Sequence, residues 1–217
     1  MKKLLAMLLT LSMVLSMAVG TVTVSAETEE TRTITDSMER SVEIPADVQR
    51  IVCVGVGALR YTCYVGGADR VVGVEDYETK PGMSRLYNYV NFDRFQDLPV
   101  TGTNGEPFVE EIINVEPQVI VMSAYAKQDP DELSQKTGIP VVVVPGSDTT
   151  LDEKAYTTIR ILGELYGLED RAEALTSYLL GIQEDLEQRT VSIPDDQKPS
   201  CYAVSYTHLT LPTNSLV

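Results

Sequence analysis

The sequence predicts an α/β fold: a Rossmann-like N-terminal βα lobe with a mostly parallel sheet, followed by a long connecting helix. Three observations carry this. Short β-branched apolar runs at 50–55, 71–74, 119–122 and 139–144 have the pattern of strands covered on both faces. Helical segments alternate with them, which implies right-handed βαβ crossovers. From Leu151 the alternation gives way to two amphipathic helices.

The elements follow in chain order. Lys2 and Lys3 precede an uncharged apolar run, Leu4 to Val19, and Val24-Ser25-Ala26 offers small residues for cleavage. Residues 1–26 are therefore expected to be a secretory signal peptide. The run is shorter than the ~20 residues of a spanning helix. The first cysteine is Cys53, so no lipid-anchor cysteine is expected at the cleavage point. The N-terminal lobe is expected over 27–150. Thr31 to Ile34 and Ser41 to Ile44 alternate around a polar turn and predict a hairpin ended by Pro45. Arg50 to Gly55 predicts a strand. Gly57 to Val65 predicts a helix stopped at Gly66-Gly67. Val71 to Val74 predicts the second strand.

Residues 76–99 are rich in Tyr, Asn, Asp and Arg, broken by Pro81-Gly82, and are expected to form a long irregular segment. A short strand is expected to end at Gly102. Glu106-Pro107 is expected to open a helix with Glu110 and Glu111 near its positive end. Val119 to Met122 predicts a strand, and Pro130 to Thr137 a helix closed by Gly138. Ile139 to Val144 predicts a further strand.

Inter-lobe helices are expected over 151–190. Ala155, Ile159, Leu162 and Tyr166 fall on one face before Gly167. Leu168, Ala172, Leu175, Leu179, Ile182 and Leu186 continue on the next helix. That helix, Glu169 to Thr190, would be roughly 33 Å long at 1.5 Å per residue, a rigid strut. Residues 191–204 are expected to begin a second lobe that is otherwise missing. Residues 205–217, SYTHLTLPTNSLV, contain no Asp, Glu, Lys or Arg and hold the only histidine, His208. They are expected to be translated sequencing adapter.

The charge narrows the function. With 17 Lys+Arg against 32 Asp+Glu the net charge is −15, opposite to what a nucleic-acid binder needs. It also disfavours anionic lipid. One histidine and three scattered cysteines leave little for a His/Cys metal site. Cys53 and Cys63 are expected to be packed free thiols.

The stretches ITDSMERSVEIPADVQRIVCVG, VGGADRVVGVED, EPFVEEIINVEPQVIVMSAY, KTGIPVVVV and TIRILGELYGLEDRAEAL occur in an order that resembles one family. It is the Fe/B12 periplasmic-binding family, the substrate-binding proteins of ABC importers for iron–siderophore complexes, haem and cobalamin. The resemblance covers about residues 31–204. Gln118 departs from it, standing where the family commonly has Asp. The resemblance implies two βα lobes bridged by one helix, with a metal chelate held between them. It implies no catalysis and no cofactor. The implied partners are a membrane permease and its cytoplasmic ATPase, and the receptor is expected to be an exported monomer, periplasmic or at the cell surface.

In open α/β sheets, ligands bind beyond the carboxyl ends of the strands. That selects Gly57 and Arg60 after the first parallel strand, where backbone, a helix N-terminus and a cation would meet an anionic group. Tyr77, Arg85 and Tyr87 in the 76–99 segment offer aromatic faces and a guanidinium to a bulky chelate. Asn104 and Tyr125 are further loop-end candidates. Glu110 falls where the resemblance implies a docking glutamate for permease arginines. The alternative role for Glu110 is to complement the helix dipole.

Two rival functions have sequence support. Gly55-Val56-Gly57, with Glu75-Asp76 about 20 residues on, has the outline of a dinucleotide-binding enzyme. Arg60, however, stands where a third glycine should allow close packing. A receptor for a bare metal ion or an oxyanion on a related fold is the other. A metal-ion site would need His or carboxylate clusters.

Overall fold

The computed structural model describes residues 30–146 and 151–199. The expected signal peptide, the strand expected from Ser200 and the 205–217 tail lie outside them. The described elements from Thr31 onward belong to one compact unit.

The chain opens with an antiparallel hairpin, β1 (Thr31–Thr35) and β2 (Ser41–Pro45). Asp36 and Arg40 clasp it to the lobe. Asp36 Oδ2 accepts from Arg40 Nη2 at 2.6 Å and from the Val143 amide at 3.2 Å. Strands β3 (Ile51–Val54), β4 (Val71–Glu75), β5 (Val100–Thr103), β6 (Glu106–Pro107), β7 (Val119–Ser123) and β8 (Val141–Val144) form a sheet in the order β6-β5-β4-β3-β7-β8. All its pairings are parallel except β5 with β6. The chain winds outward from β3 through β4 to β5, then returns to β7 on the other side. That reversal is a topological switch point beside β3.

Both faces of the sheet are covered, and residue parity decides which side chain goes where. Ile51, Cys53, Val119, Val121, Val142 and Val144 share one core with helix α1 (Ala58–Val65) and helix α5 (Glu153–Tyr166). Val52, Val54, Ile120, Met122, Val141 and Val143 face the other core. Ile112 of α3 (Val109–Asn114) and Leu133 of α4 (Pro130–Thr137) cover them. Helix boundaries have local causes. Asp129 caps α4 through the amides of Asp131 and Glu132, Pro130 sits in its first turn, and Gly138 ends it at φ 73°. Gln118 accepts from the Gln49 and Arg50 amides at 2.6 and 3.0 Å, so it fastens the start of β7 to the start of β3.

Helix α6 (Glu169–Thr190) runs over its expected span. Ala172 is buried, and Leu175 and Leu179 pack on the α5 side of the core. Leu186 is 51% exposed, so the apolar stripe outruns the lobe that covers it.

Two expectations are corrected. Glu106-Pro107 does not open a helix; it is β6, paired with β5 across an Asn104-Gly105 turn. Both turn residues have positive φ, 48° and 76°, which an Asn-Gly hairpin favours. The helix starts later, at Val109. The 76–99 segment is not irregular throughout: a 3₁₀ turn, Asp76–Thr79, leads to helix α2, Leu86–Phe95. Its apolar Leu86, Tyr89 and Val90 are exposed while Asn88 and Phe95 are buried, so the inward face is part polar and does not stand out in the sequence.

Candidate functional site

The β3–α1 turn, the end of β4, the 76–85 segment and the β5–β6 turn enclose a cleft of about 510 Å³. It lies at the carboxyl ends of the strands. Six of the seven predicted contact residues line it: Gly57, Arg60, Tyr77, Arg85, Tyr87 and Asn104. Tyr125 does not. It is exposed on the turn after β7, with Lys154 Nζ 5.8 Å from its ring centroid. Glu110 is exposed in the first turn of α3, away from the cleft lining.

Glu75 forms the floor. It is 4% exposed, and its Oε1 accepts from the Gly55 amide at 2.9 Å and the Gly105 amide at 3.0 Å. One carboxylate thus ties together the two turns that present Gly57 and Asn104. Gly55 and Gly105 both need positive φ here, 86° and 76°. A Cβ on Gly55 would lie 3.2 Å from Ser123 Cβ. Only glycine gives this turn its shape without strain.

Glu78 organises the wall. It is buried at 1% exposure and accepts from Tyr87 Oη at 2.6 Å and Asn88 Nδ2 at 2.8 Å. Arg85 Nε stands 4.0 Å from Glu78 Oε2. Arg85 Nη2 donates to the Tyr77 and Lys80 carbonyls, each at 2.9 Å, and the guanidinium lies 5.1 Å from the Tyr77 ring centroid. Gly82 leaves room for that side chain, since a Cβ there would meet Arg85 Nη2 at 2.9 Å. Arg60 packs its guanidinium 4.9 Å from the Tyr61 ring centroid.

Burial pushes the Glu78 carboxyl above its ordinary value, against the pull of Tyr87, Arg85 and Asn88. Burial, and then the nearby carboxylates Glu75 and Glu78, push the Tyr77 phenol up. Burial and the hydrogen bond to Glu78 do the same to Tyr87. Both phenols therefore stay protonated and present uncharged rings.

Sequence reasoning missed Glu78, Tyr64 and Ser84 as parts of this region. It used Glu75 only as the acidic residue of a nucleotide fingerprint. A buried acid inside a polar segment has no one-dimensional signature. In the fold, the Gly55 amide is occupied by Glu75, and Arg60 fills the third glycine position and lines the cleft. Among the described residues, no group of three His, Cys, Asp or Glu is placed to hold a metal ion.

The lobe carries a polar and aromatic cleft at its switch end, the place where open α/β sheets take small ligands. The chain belongs to the periplasmic binding protein family, whose model matches residues 51–207. The family is one of binding proteins, not enzymes. A relative in Bacillus subtilis (strain 168) is named the uncharacterized ABC transporter substrate-binding lipoprotein YvrC. It is 25% identical over 175 residues, 78% of this chain and 51% of the relative. The molybdate periplasmic binding protein MolA of Haemophilus influenzae superposes with a TM-score of 0.64 at 19% identity, covering 76% of this chain and 56% of MolA. The periplasmic catecholate-siderophore binding protein VctP of Vibrio cholerae gives 0.59 at 26% identity, covering 75% and 55%. The chain spans about half the length of the relatives it matches.

Proposed function

We propose that this chain supplies the first lobe and the strut of an extracytoplasmic receptor for an ABC importer. The receptor binds a metal chelate of the iron–siderophore, haem or corrinoid type between two lobes and delivers it to a membrane permease. The observation that carries this reading is the cleft itself. Its lining brings Tyr64, Tyr77 and Tyr87 together with Arg60 and Asn104, at the end of the sheet where open α/β folds take ligands. Aromatic walls give a bulky chelate large contact area, and the polar groups orient it.

Glu110 is the proposed docking residue. An exposed carboxylate facing permease arginines gives orientation and on-rate more than affinity. The N-terminal region is the proposed export signal, and the receptor works as a monomer. Isothermal titration calorimetry of the full chain with ferric siderophores, haem, cobalamin, molybdate and Zn²⁺ tests the reading. Saturable heat with a chelate is expected. Binding of molybdate or Zn²⁺ alone would replace it with an oxyanion or metal-ion receptor. In cells carrying the receptor with its permease, Glu110→Arg should lower uptake and leave ligand affinity unchanged.

A further inference from the structure

The charges around the cleft do not favour a strongly anionic ligand. Two cations, Arg60 and Arg85, line it. Two buried carboxylates oppose them: Glu75 in the floor and Glu78 behind the wall. Arg85 already faces Glu78 at 4.0 Å and spends Nη2 on two backbone carbonyls. Glu75 is held by the Gly55 and Gly105 amides and, among the described residues, by no ion pair with a lysine or arginine. Asp76, half-buried beside it, adds a third carboxylate and accepts from the neutral Thr103 hydroxyl at 2.8 Å. Lys80, the other cation of the 76–85 segment, is exposed. The rest of the lining is uncharged: three tyrosines, Val56, Gly57, Leu86, Ser84 and Asn104. Buried charges are screened far less by salt than surface ones.

From this juxtaposition we infer that the cleft selects metal chelates of zero or low net charge and rejects highly anionic ones. The inference rests on the chelate-receptor reading and narrows it. Glu75 is the repulsive element and Glu78 offsets Arg85, and specificity of this kind is commonly built from repulsion as much as attraction. The tyrosines of the lining supply contact area that carries no net charge. This preference runs opposite to the catecholate-siderophore binding in the name of VctP.

The test compares probes that differ in charge. Two are uncharged, a hexadentate ferric trihydroxamate and cyanocobalamin; the third is a hexadentate ferric tris-catecholate, a trianion. Calorimetry on the full chain should show at least one neutral probe binding about tenfold or more tighter than the trianion. Glu75→Gln keeps an oxygen for the Gly55 and Gly105 amides while removing the charge. It should move the ratio about tenfold toward the trianion, and Glu78→Gln should move it the same way. A trianion that binds as tightly as the neutral probes overturns the inference, and the wild-type ratio alone decides this if a variant fails to fold. A ratio unmoved in both folded variants, judged by circular dichroism, also overturns it. If none of the three probes binds, the charge inference falls, and the receptor reading falls with it only if haem also fails to bind.

Discussion

The phenol of Tyr87 donates to the carboxylate of Glu78 at 2.6 Å, with Glu78 only 1% exposed. A residue expected to touch ligand is therefore also a support for a buried acid. Burial raises the Glu78 pKa above its ordinary 4.5, so the folded state binds this proton more tightly than the unfolded one. The contribution to stability is full below the unfolded value and is lost as pH rises through the folded value. Urea unfolding of wild type and Glu78→Gln between about pH 4 and pH 8 checks this. The wild-type advantage should shrink as pH rises; an advantage that grows would contradict the burial of an ionisable Glu78.

The floor of the cleft should be sensitive to single atoms. Gly55→Ala places a Cβ at φ 86°, 3.2 Å from Ser123 Cβ and 3.3 Å from Ala126 Cβ. A loss of about 1–3 kcal/mol is expected. Gly138→Ala is a milder control, since φ is 73° but nothing lies within 4 Å of the added carbon. Glu75→Ala strands the Gly55 and Gly105 amides and should cost about 1–3 kcal/mol for each. Denaturant midpoints rank all three, and a Gly55→Ala no weaker than Gly138→Ala would refute the crowding.

Arg60 and Tyr125 should separate in binding. Arg60 lines the cleft, whereas Tyr125 is exposed beside Lys154 and outside the lining. With a chelate that binds the full chain, Arg60→Ala is expected to weaken affinity about tenfold or more. Tyr125→Ala should change it by less than about threefold. The reverse ranking would move the site toward the β7 turn.

Thiol chemistry gives an independent readout of the core. Burial pushes the Cys53 thiol up to about 12, and Cys53 is 4% exposed in β3. Burial also raises Cys63, with the nearby Cys53 adding to it. Only the thiolate is the nucleophile, so the folded protein should leave both cysteines unalkylated at mildly alkaline pH. Peptide mapping by mass spectrometry should show them modified together once denaturant unfolds the lobe. Rapid labelling of Cys53 in the native state would mean that β3 opens locally.

Much of the fold was legible because its signals are local. The four-valine run Val141–Val144 can only be a strand between two covered faces. Pro130 and Gly138 bracket α4, and the period of apolar residues marks α5 and α6. The misses have physical reasons. Helix α2 turns its apolar Leu86, Tyr89 and Val90 to solvent and buries Asn88 with Phe95, so the face that packs inward is part polar and gives no clean apolar signal. The Asn104-Gly105 pair is a strong hairpin signal, but Pro107 and two following glutamates look equally like a helix start. Pairing with β5 decided for the hairpin.

By itself, the sequence determined the α/β class, most of the strands and helices in their chain order, and the family. The elements depend on patterns within a dozen neighbouring residues and the family on the order of such stretches along the chain, both of which a linear reading can see. Only the tertiary structure decided which side chains share the cleft and what charge surrounds it. Glu75 meets two amides 20 and 30 positions away, and Glu78 is buried by residues of a helix that the sequence concealed. Whether a carboxylate is solvated or buried depends on packing across the fold, and that same packing removed Tyr125 from the cleft and put Glu75 beneath it.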